Sequence, residues 1–396
     1  MSEQIPPQWS NFYLKDVSFV NLMMRRIYNV LIVANPYDAF MLEDDGRVEE
    51  KIYNEYMELG LRYPPTFTQV STTEEAAKVL STVDIDLVIC MPGNADNDAF
   101  DVARAVKAEF PGIHCVVLTP FSHGITQRIQ HEDLSIFDYV FCWLGNTNLI
   151  LSIIKLMEDK MNIDHDIREV GVQMILLVED SIRFYSSILP NLYGYILTQS
   201  RNFATEALTR HDASLRQRGR PKVVLARTYD EAWEIYQRYK DNCLGVISDV
   251  RFPINNNVER KEKTSAKDPE AGLKLLRAIR KEDEYLPLII ESSEGDNRKK
   301  AEAEGFRFVD KNSKKMSVDL RHLLEEHMGF GDFIFRDPRT HEEVMRIRSL
   351  KELQDNIFQI PRDSMLYHIS RNHVSRWLSA RAIFPVSSFL KGITWH

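Results

Sequence analysis

Short apolar, β-branched runs alternate with helix-length amphipathic stretches along most of this chain, and the alternation occurs twice, with five runs each time. Parallel strands cannot be joined by a tight turn; each needs a crossover of roughly a dozen residues or more, usually a helix. A repeated run-and-crossover order therefore admits few folds other than a parallel sheet covered by helices. In the first pass the expected strands are NVLIV (29–33), TFTQV (66–70), DLVIC (86–90), HCVVL (114–118) and DYVFC (138–142). In the second they are MILLV (174–178), KVVLA (222–226), GVIS (245–248), PLII (287–290) and RFV (307–309). Between them, STTEEAAKVL opens on a Ser71–Glu74 capping box, and TYDEAWEIYQRY sets Ala232, Ile235, Tyr236 and Tyr239 on one helical face. The expected fold is α/β: two doubly wound five-stranded parallel-sheet domains in tandem, over 1–165 and 166–330, then a small α+β module over 331–396.

Composition enters through what it excludes. With 44% apolar and 27% charged residues the chain can bury real cores, which argues against a disordered or fibrous protein. A net charge of −8 gives no overall reason to expect nucleic acid or an anionic membrane as partner. Cys90, Cys115, Cys142 and Cys243 stand singly in apolar runs without ligand-type spacing, so they read as buried thiols in a reducing compartment rather than zinc ligands. The opening MSEQIPPQWS has neither the basic nor the apolar region of a secretory signal. No apolar stretch approaches the roughly 18 residues of a membrane span, and the expected location is the cytoplasm.

In a doubly wound sheet the ligand site lies beyond the carboxyl ends of the strands, so the residues that close each strand are the informative ones. The second copy closes its strands with Glu179 and Asp180, Asp249, Ser292 and Ser293, and Lys311. The first closes the corresponding strands with Ala34 and Asn35, Met91, Thr119 and Cys142. Each residue has an ordinary explanation on its own. Glu179 and Asp180 can cap the following helix, Ser292 and Ser293 can do the same, and Lys311 can form a surface ion pair. Asp249 is harder to dismiss, because a carboxylate closing an apolar strand is costly unless paired or liganded.

On MILLVEDS, GVISDVRFP, LPLIIESS and RFVDK the second copy resembles the flavodoxin-like receiver domain of two-component response regulators. The resemblance implies a phosphorelay signalling protein with Asp249 as phosphoacceptor and Lys311 as the partner of the phosphoryl oxygens. It further implies Ser292 as the switch hydroxyl and Phe308 as the switch aromatic. Glu179, Asp180 and Asp249, with the backbone carbonyl of Arg251, would hold one Mg²⁺, a hard cation that takes oxygen ligands. The implied partners are a histidine kinase or a small-molecule phosphodonor, with pairing into a homodimer as receivers often do on activation. The implied activity is self-phosphorylation only, not metabolic catalysis.

Three departures accompany the resemblance. Asn312 follows the lysine where receivers commonly carry a cis proline, Ser293 stands where alanine is usual, and two insertions lengthen the domain. The second insertion, NNNVERKEKTSAKDPE, sits beside Asp249 and reads either as a mobile polar loop over 254–270 or as a lid or partner contact. The first copy reads as a pseudo-receiver: without carboxylates at its strand ends it is not phosphorylated there, and it serves as a dimerisation or docking surface.

After residue 330, DFIFRDPRTHEEVMRIRS reads as a hairpin about a Pro-containing turn, and Ser349 with Glu352 opens a helix. DSMLYHISRNHVSRWLSARAIF sets Leu366, Ile369, His373, Trp377 and Leu378 along one helical face with Arg371, Arg376 and Arg381 nearby, while His368 and His373 read as packing or capping residues. A DNA-reading output helix is the minor alternative, since 331–396 holds 10 basic against 7 acidic residues. The tandem order and HISRNHVSRWLSARAIFP also resemble the amino-terminal regulatory part of proteins that continue into a phosphoenolpyruvate synthase or pyruvate phosphate dikinase-like region. That resemblance implies an attached phosphotransferase beyond His396, with the ending LKGITWH as an internal boundary.

Overall fold

The computed structural model describes residues 19–40, 42, 47–92, 99–120, 136–205, 213, 216–255 and 267–391. The first sheet is built from β1 (Asn29–Val33), β2 (Thr66–Val70), β3 (Leu87–Cys90), β4 (His114–Pro120) and β5 (Tyr139–Trp143). The second is built from β6 (Met174–Val178), β7 (Lys222–Ala226), β8 (Cys243–Asp249), β9 (Leu288–Ser292) and β10 (Arg307–Asp310). Every neighbouring pair in both sheets is parallel. Their orders, β2-β1-β3-β4-β5 and β7-β6-β8-β9-β10, are the same doubly wound order used twice. The expected strands and fold class are therefore present, with ends that differ by no more than a few residues.

Burial explains why these runs are strands. All five residues of β6 and of β9 are buried, as a parallel strand covered on both faces requires. The helices between the strands of the first sheet are α1 (Pro36–Phe40), α2 (Val48–Glu58), α3 (Thr73–Thr82) and α4 (Ala99–Glu109), followed by α5 (Asn148–Val170) after β5. Those of the second are α6 (Ile182–Ala204), α7 (Tyr229–Tyr239), α8 (Ala271–Glu282), α9 (Asp296–Ala303) and α10 (Met316–His327). The capping box of α3 falls one residue later than expected: Thr72, not Ser71, accepts from the Glu75 N–H at 3.1 Å, and Glu75 accepts from the Ser71 N–H at 2.9 Å. Thr72 takes the cap because its backbone is extended there, φ −128° and ψ 160°. For α7, Thr228 caps the Glu231 N–H, and Ala232, Tyr236 and Tyr239 are buried as the spacing predicts.

The chain divides into two compact units that alternate along the sequence. One takes the described residues within Met23–Met161 and Ser181–Gly194, and the other those within Met1–Leu22, Asn162–Asp180 and Tyr195–His396. The first half of α6 thus belongs to the unit that holds the first sheet. There the Tyr185 hydroxyl donates to the Val140 carbonyl, Ser186 Oγ accepts from the Cys142 N–H at 2.9 Å, and the Tyr193 hydroxyl donates to Asp159 at 2.8 Å.

The C-terminal module is a hairpin of β11 (Phe333–Arg336) and β12 (Glu343–Ile347) followed by helices. These are α11 (Leu350–Asn356), α12 (Arg362–Ser370), α13 (His373–Ala380) and α14 (Phe384–Lys391). Asp337 shapes the turn by accepting from the Arg339 and Thr340 N–H groups. The expected single helix over 366–378 is two helices, because Asn372 adopts φ 58°, a left-handed conformation that ends α12 and starts α13. Arg376 and Arg381 face inward: Arg376 donates to the Tyr285 carbonyl and Arg381 to those of Gly329 and Gly331. Buried to 7% and 4% exposure, these two guanidiniums are not available to nucleic-acid phosphates. His368 Nε2 accepts from the Arg336 N–H at 2.9 Å, and its Nδ1 lies 3.0 Å from Nδ1 of His373, so both rings are packed and bonded. All four cysteines are buried and unbridged. Among the described residues no helix is long and apolar enough to cross a membrane.

Candidate functional site

The parallel register carries the strand-closing residues of the second sheet to one edge. Glu179 extends the β6 ladder by donating its N–H to the Ala226 carbonyl at 3.0 Å, and Lys311 extends that of β10 by donating to the Ser292 carbonyl at 3.0 Å. Asp249 closes β8 and is paired in register with Glu291 of β9. As a result, Glu179, Asp180 and Asp249 bring one carboxylate oxygen each within 4.8 Å of the others. Lys311 joins two of them: its ammonium lies 2.8 Å from Asp249 Oδ1 and donates to Glu179. Burial by itself would push the Lys311 ammonium down, but Glu291, Glu179 and Asp249 together outweigh it and raise its pKa, so it stays charged. Asn312 does the work expected of a rigid loop residue by a different route. Its N–H donates to Asp310 and its side-chain amide to the Ser293 carbonyl at 2.9 Å, which ties the ends of β9 and β10 together behind the lysine.

The same register locates the equivalents in the first sheet. Val33 pairs with Cys90 as Val178 pairs with Ser248, so Ala34 and Asn35 stand at the Glu179 and Asp180 positions and Met91 at that of Asp249. Thr119 stands at the Ser292 position and Leu118 at that of Glu291. The residue equivalent to Lys311 is Trp143, not Cys142, because Cys142 pairs with Thr119 as Asp310 pairs with Ser292. Met91 is buried, and Asn35 caps α1 by accepting from the Tyr37 and Asp38 N–H groups.

The switch residues are held by local partners. Ser292 Oγ is buried and accepts from the Glu294 N–H at 3.1 Å and from Asn297 Nδ2 at 2.9 Å, so here it organises the turn into α9. Phe308 is half-buried, with the Arg298 guanidinium of α9 4.7 Å from its ring centre. Arg251 is exposed and its side chain lies 3.5 Å from Glu294. The carbonyls on either side of it, Val250 and Phe252, accept from Gly272 and Asp268, whereas no described backbone N–H donates to that of Arg251.

Three residues at this edge escaped the sequence reading. Glu291 is completely buried beside Lys311, Glu179 and Asp249, and neither of its side-chain oxygens has a hydrogen-bond partner among the described residues. Burial pushes its carboxyl up to about 8 despite the pull of Lys311, with Glu179 and Asp249 adding to the rise. A carboxyl inside the run LPLIIESS is visible in the sequence, though not its surroundings. Gly272 opens α8 against the Asp249 carbonyl. Lys267, from the insertion after Asp249, places its Nζ 2.7 Å from Asp180 Oδ2. Residues 256–266 of that insertion lie outside the described residues.

The donor set fits a hard divalent cation. Its three clustered atoms are carboxylate oxygens, and Asp180 Oδ1 is buried without any hydrogen-bond partner, a costly arrangement that a cation would relieve. Burial raises the Asp180 carboxyl, with Asp249 adding to the rise and Lys267 opposing it.

No protein-family model and no curated protein matches this chain. Solved structures similar to it include a CheY-like response regulator receiver domain protein from Methanospirillum hungatei JF-1, 15% identical over 34% of this chain and 95% of that one, TM-score 0.26. The response regulator TrrA of Thermotoga maritima in complex with Mg²⁺–BeF is 18% identical over 33% of this chain and 97% of its own, TM-score 0.24. A two-component response regulator/GGDEF domain protein is 14% identical over 75% of this chain and 98% of that one, TM-score 0.30.

Proposed function

We propose that the second sheet forms a phosphoryl-accepting signalling switch with Asp249 as nucleophile. The observation that carries this reading is the convergence of three carboxylates within 4.8 Å, bridged by a buried lysine, on the edge where a doubly wound sheet presents its ligand site. An Asp249 oxygen forms a bond to phosphorus as the bond from phosphorus to the donor breaks, leaving an aspartyl phosphate and a departing donor group. The donor is a phosphohistidine of a histidine kinase or a small acyl phosphate. Glu179, Asp180 and Asp249 with the Arg251 carbonyl would hold Mg²⁺, which when bound would supply positive charge to offset repulsion between the phosphoryl oxygens and the attacking carboxylate.

The chain's own groups do the rest. Lys311 pairs with a phosphoryl oxygen from the position it already holds beside Asp249. The Ser292 hydroxyl leaves the Glu294 N–H and the Asn297 amide to donate to another, and the turn into α9 moves with it. Phe308 and Arg298 then change their contact, which converts the chemical event into an altered face on α9 and β10. The first sheet, with Ala34, Asn35 and Met91 at the equivalent positions, takes no phosphoryl group and acts as a docking or dimerisation scaffold.

The test is intact mass spectrometry of the full chain after incubation with acetyl phosphate and Mg²⁺. A single phosphoryl adduct is expected, absent from Asp249→Asn and from the metal-free control. An adduct that survives in Asp249→Asn, or none in the wild type with any donor, would reject the proposal.

A further inference from the structure

The insertion after β8 is anchored beside the acidic edge. Asp268 donates its N–H to the Phe252 carbonyl at 3.1 Å in an antiparallel bridge, and its side chain accepts from the Glu270 N–H and pairs with Lys274 at 2.6 Å. Phe252 is completely buried, so the anchor is fixed to the core. Lys267 stands one residue before it, and its ammonium therefore reaches Asp180 from a tethered position, 2.7 Å from Oδ2, with the side chain 46% exposed. Of the two Asp180 oxygens, one is held by this lysine and the other is buried without a partner.

We infer that Lys267 is a built-in counter-ion of the acidic edge that competes with the divalent cation for Asp180 and so sets the affinity of the site. The inference rests on the cation-binding reading of Glu179, Asp180 and Asp249 given above. Its physical content is simple: an ammonium in contact with a ligand carboxylate repels a dication bound to that carboxylate, and it draws on the same oxygen charge. Its half-exposed stem lets it withdraw into solvent when a cation arrives, which a fully buried lysine such as Lys311 cannot do. The competing cation thus comes from the insertion, not from the receiver framework.

The experiment is calorimetric titration of the full chain with Mn²⁺ and, separately, Mg²⁺, for the wild type, Lys267→Gln and Lys267→Arg. Lys267→Gln should bind both metals on the order of tenfold more tightly, as expected for removing one unit charge a few ångströms from a dication in a partly solvated setting. Lys267→Arg, which keeps the charge, should stay within about twofold of the wild type. Thermal melting gives a second readout: Lys267→Gln should melt lower than the wild type without metal and gain more from saturating Mn²⁺. Metal binding by the wild type with equal or weaker affinity in Lys267→Gln would overturn the role of Lys267 while leaving the cation site standing. Absence of binding in wild type and variant alike would overturn the cation site, and this inference with it.

Discussion

Glu291 is the residue whose chemistry departs furthest from its free behaviour. Its carboxyl is raised to about 8 from an ordinary 4.5, first by burial and then by Glu179 and Asp249. Between those two values the folded chain keeps a proton that the unfolded chain has released, so folding stability falls as pH rises through the window, and below it the penalty is absent. His368 and His373 act the other way: burial lowers them to about 4 and about 3, and the stability they carry is lost as pH falls below their usual value of 6.5. Glu291→Gln leaves those histidines in place, so the difference between its melting temperature and the wild type's isolates the glutamate. That difference should favour the variant more at about pH 8 than at about pH 5, in metal-free buffer. Parallel profiles for the two proteins would show that Glu291 is not the titrating group. The residue scale also shows where pattern reading stops: the strand-closing positions of Glu179, Asp180, Asp249, Ser292 and Lys311 follow from local sequence, whereas the shift of Glu291 depends on burial and on two carboxylates, Glu179 and Asp249, and a lysine brought from other strands.

At the scale of elements, the approach of α8 to β8 decides how Asp249 is held. A Cβ built on Gly272 would lie 1.9 Å from the Asp249 carbonyl oxygen and 3.1 Å from Ser248 Oγ, and the Gly272 N–H donates to the Val250 carbonyl at 3.0 Å. Helix propensity alone would make alanine better than glycine here by about 1 kcal/mol. The contact reverses that sign, because the atom in the way is backbone and cannot rotate aside; overpacking of this kind costs about 1–3 kcal/mol. Gly272→Ala should therefore lower the melting temperature and slow phosphoryl uptake although the carboxylate itself is unchanged. A variant that melts at or above the wild-type temperature with normal uptake would show that α8 can shift freely. Most element boundaries were legible because apolar runs and caps are local signals. The break at Asn372 was not, since the apolar period runs on through it and only the backbone's left-handed turn separates α12 from α13.

For the whole molecule, the sequence suggests a cut near residue 165, between two copies of one fold, whereas the compact units are drawn from alternating stretches of chain. A chain beginning at residue 166 would lack Val140, Phe141, Cys142 and Asp159, which in the full chain receive Tyr185, Ser186 and Tyr193 of α6. Ile188, Leu189 and Leu192, all completely buried, belong to the same half of that helix. Such a truncated chain should bind a hydrophobic dye and melt several degrees below the full chain, although its phosphoacceptor sheet is intact in sequence. A cooperative melt at the full-chain temperature without dye binding would show that α6 repacks within the remaining unit.

The order of the strands, their parallel direction and the identity of the residues that close them are determined by the sequence alone. Parallel crossovers return each strand to the same edge, so a local pattern read five times already assembles a site. Tertiary structure decided what no local pattern encodes. It brought Lys267 back from the insertion onto Asp180, buried Glu291 behind Lys311, turned Arg376 and Arg381 inward, and divided α6 between two units. Each of these depends on contacts between residues far apart in the chain, where burial and charge, not periodicity, set the outcome.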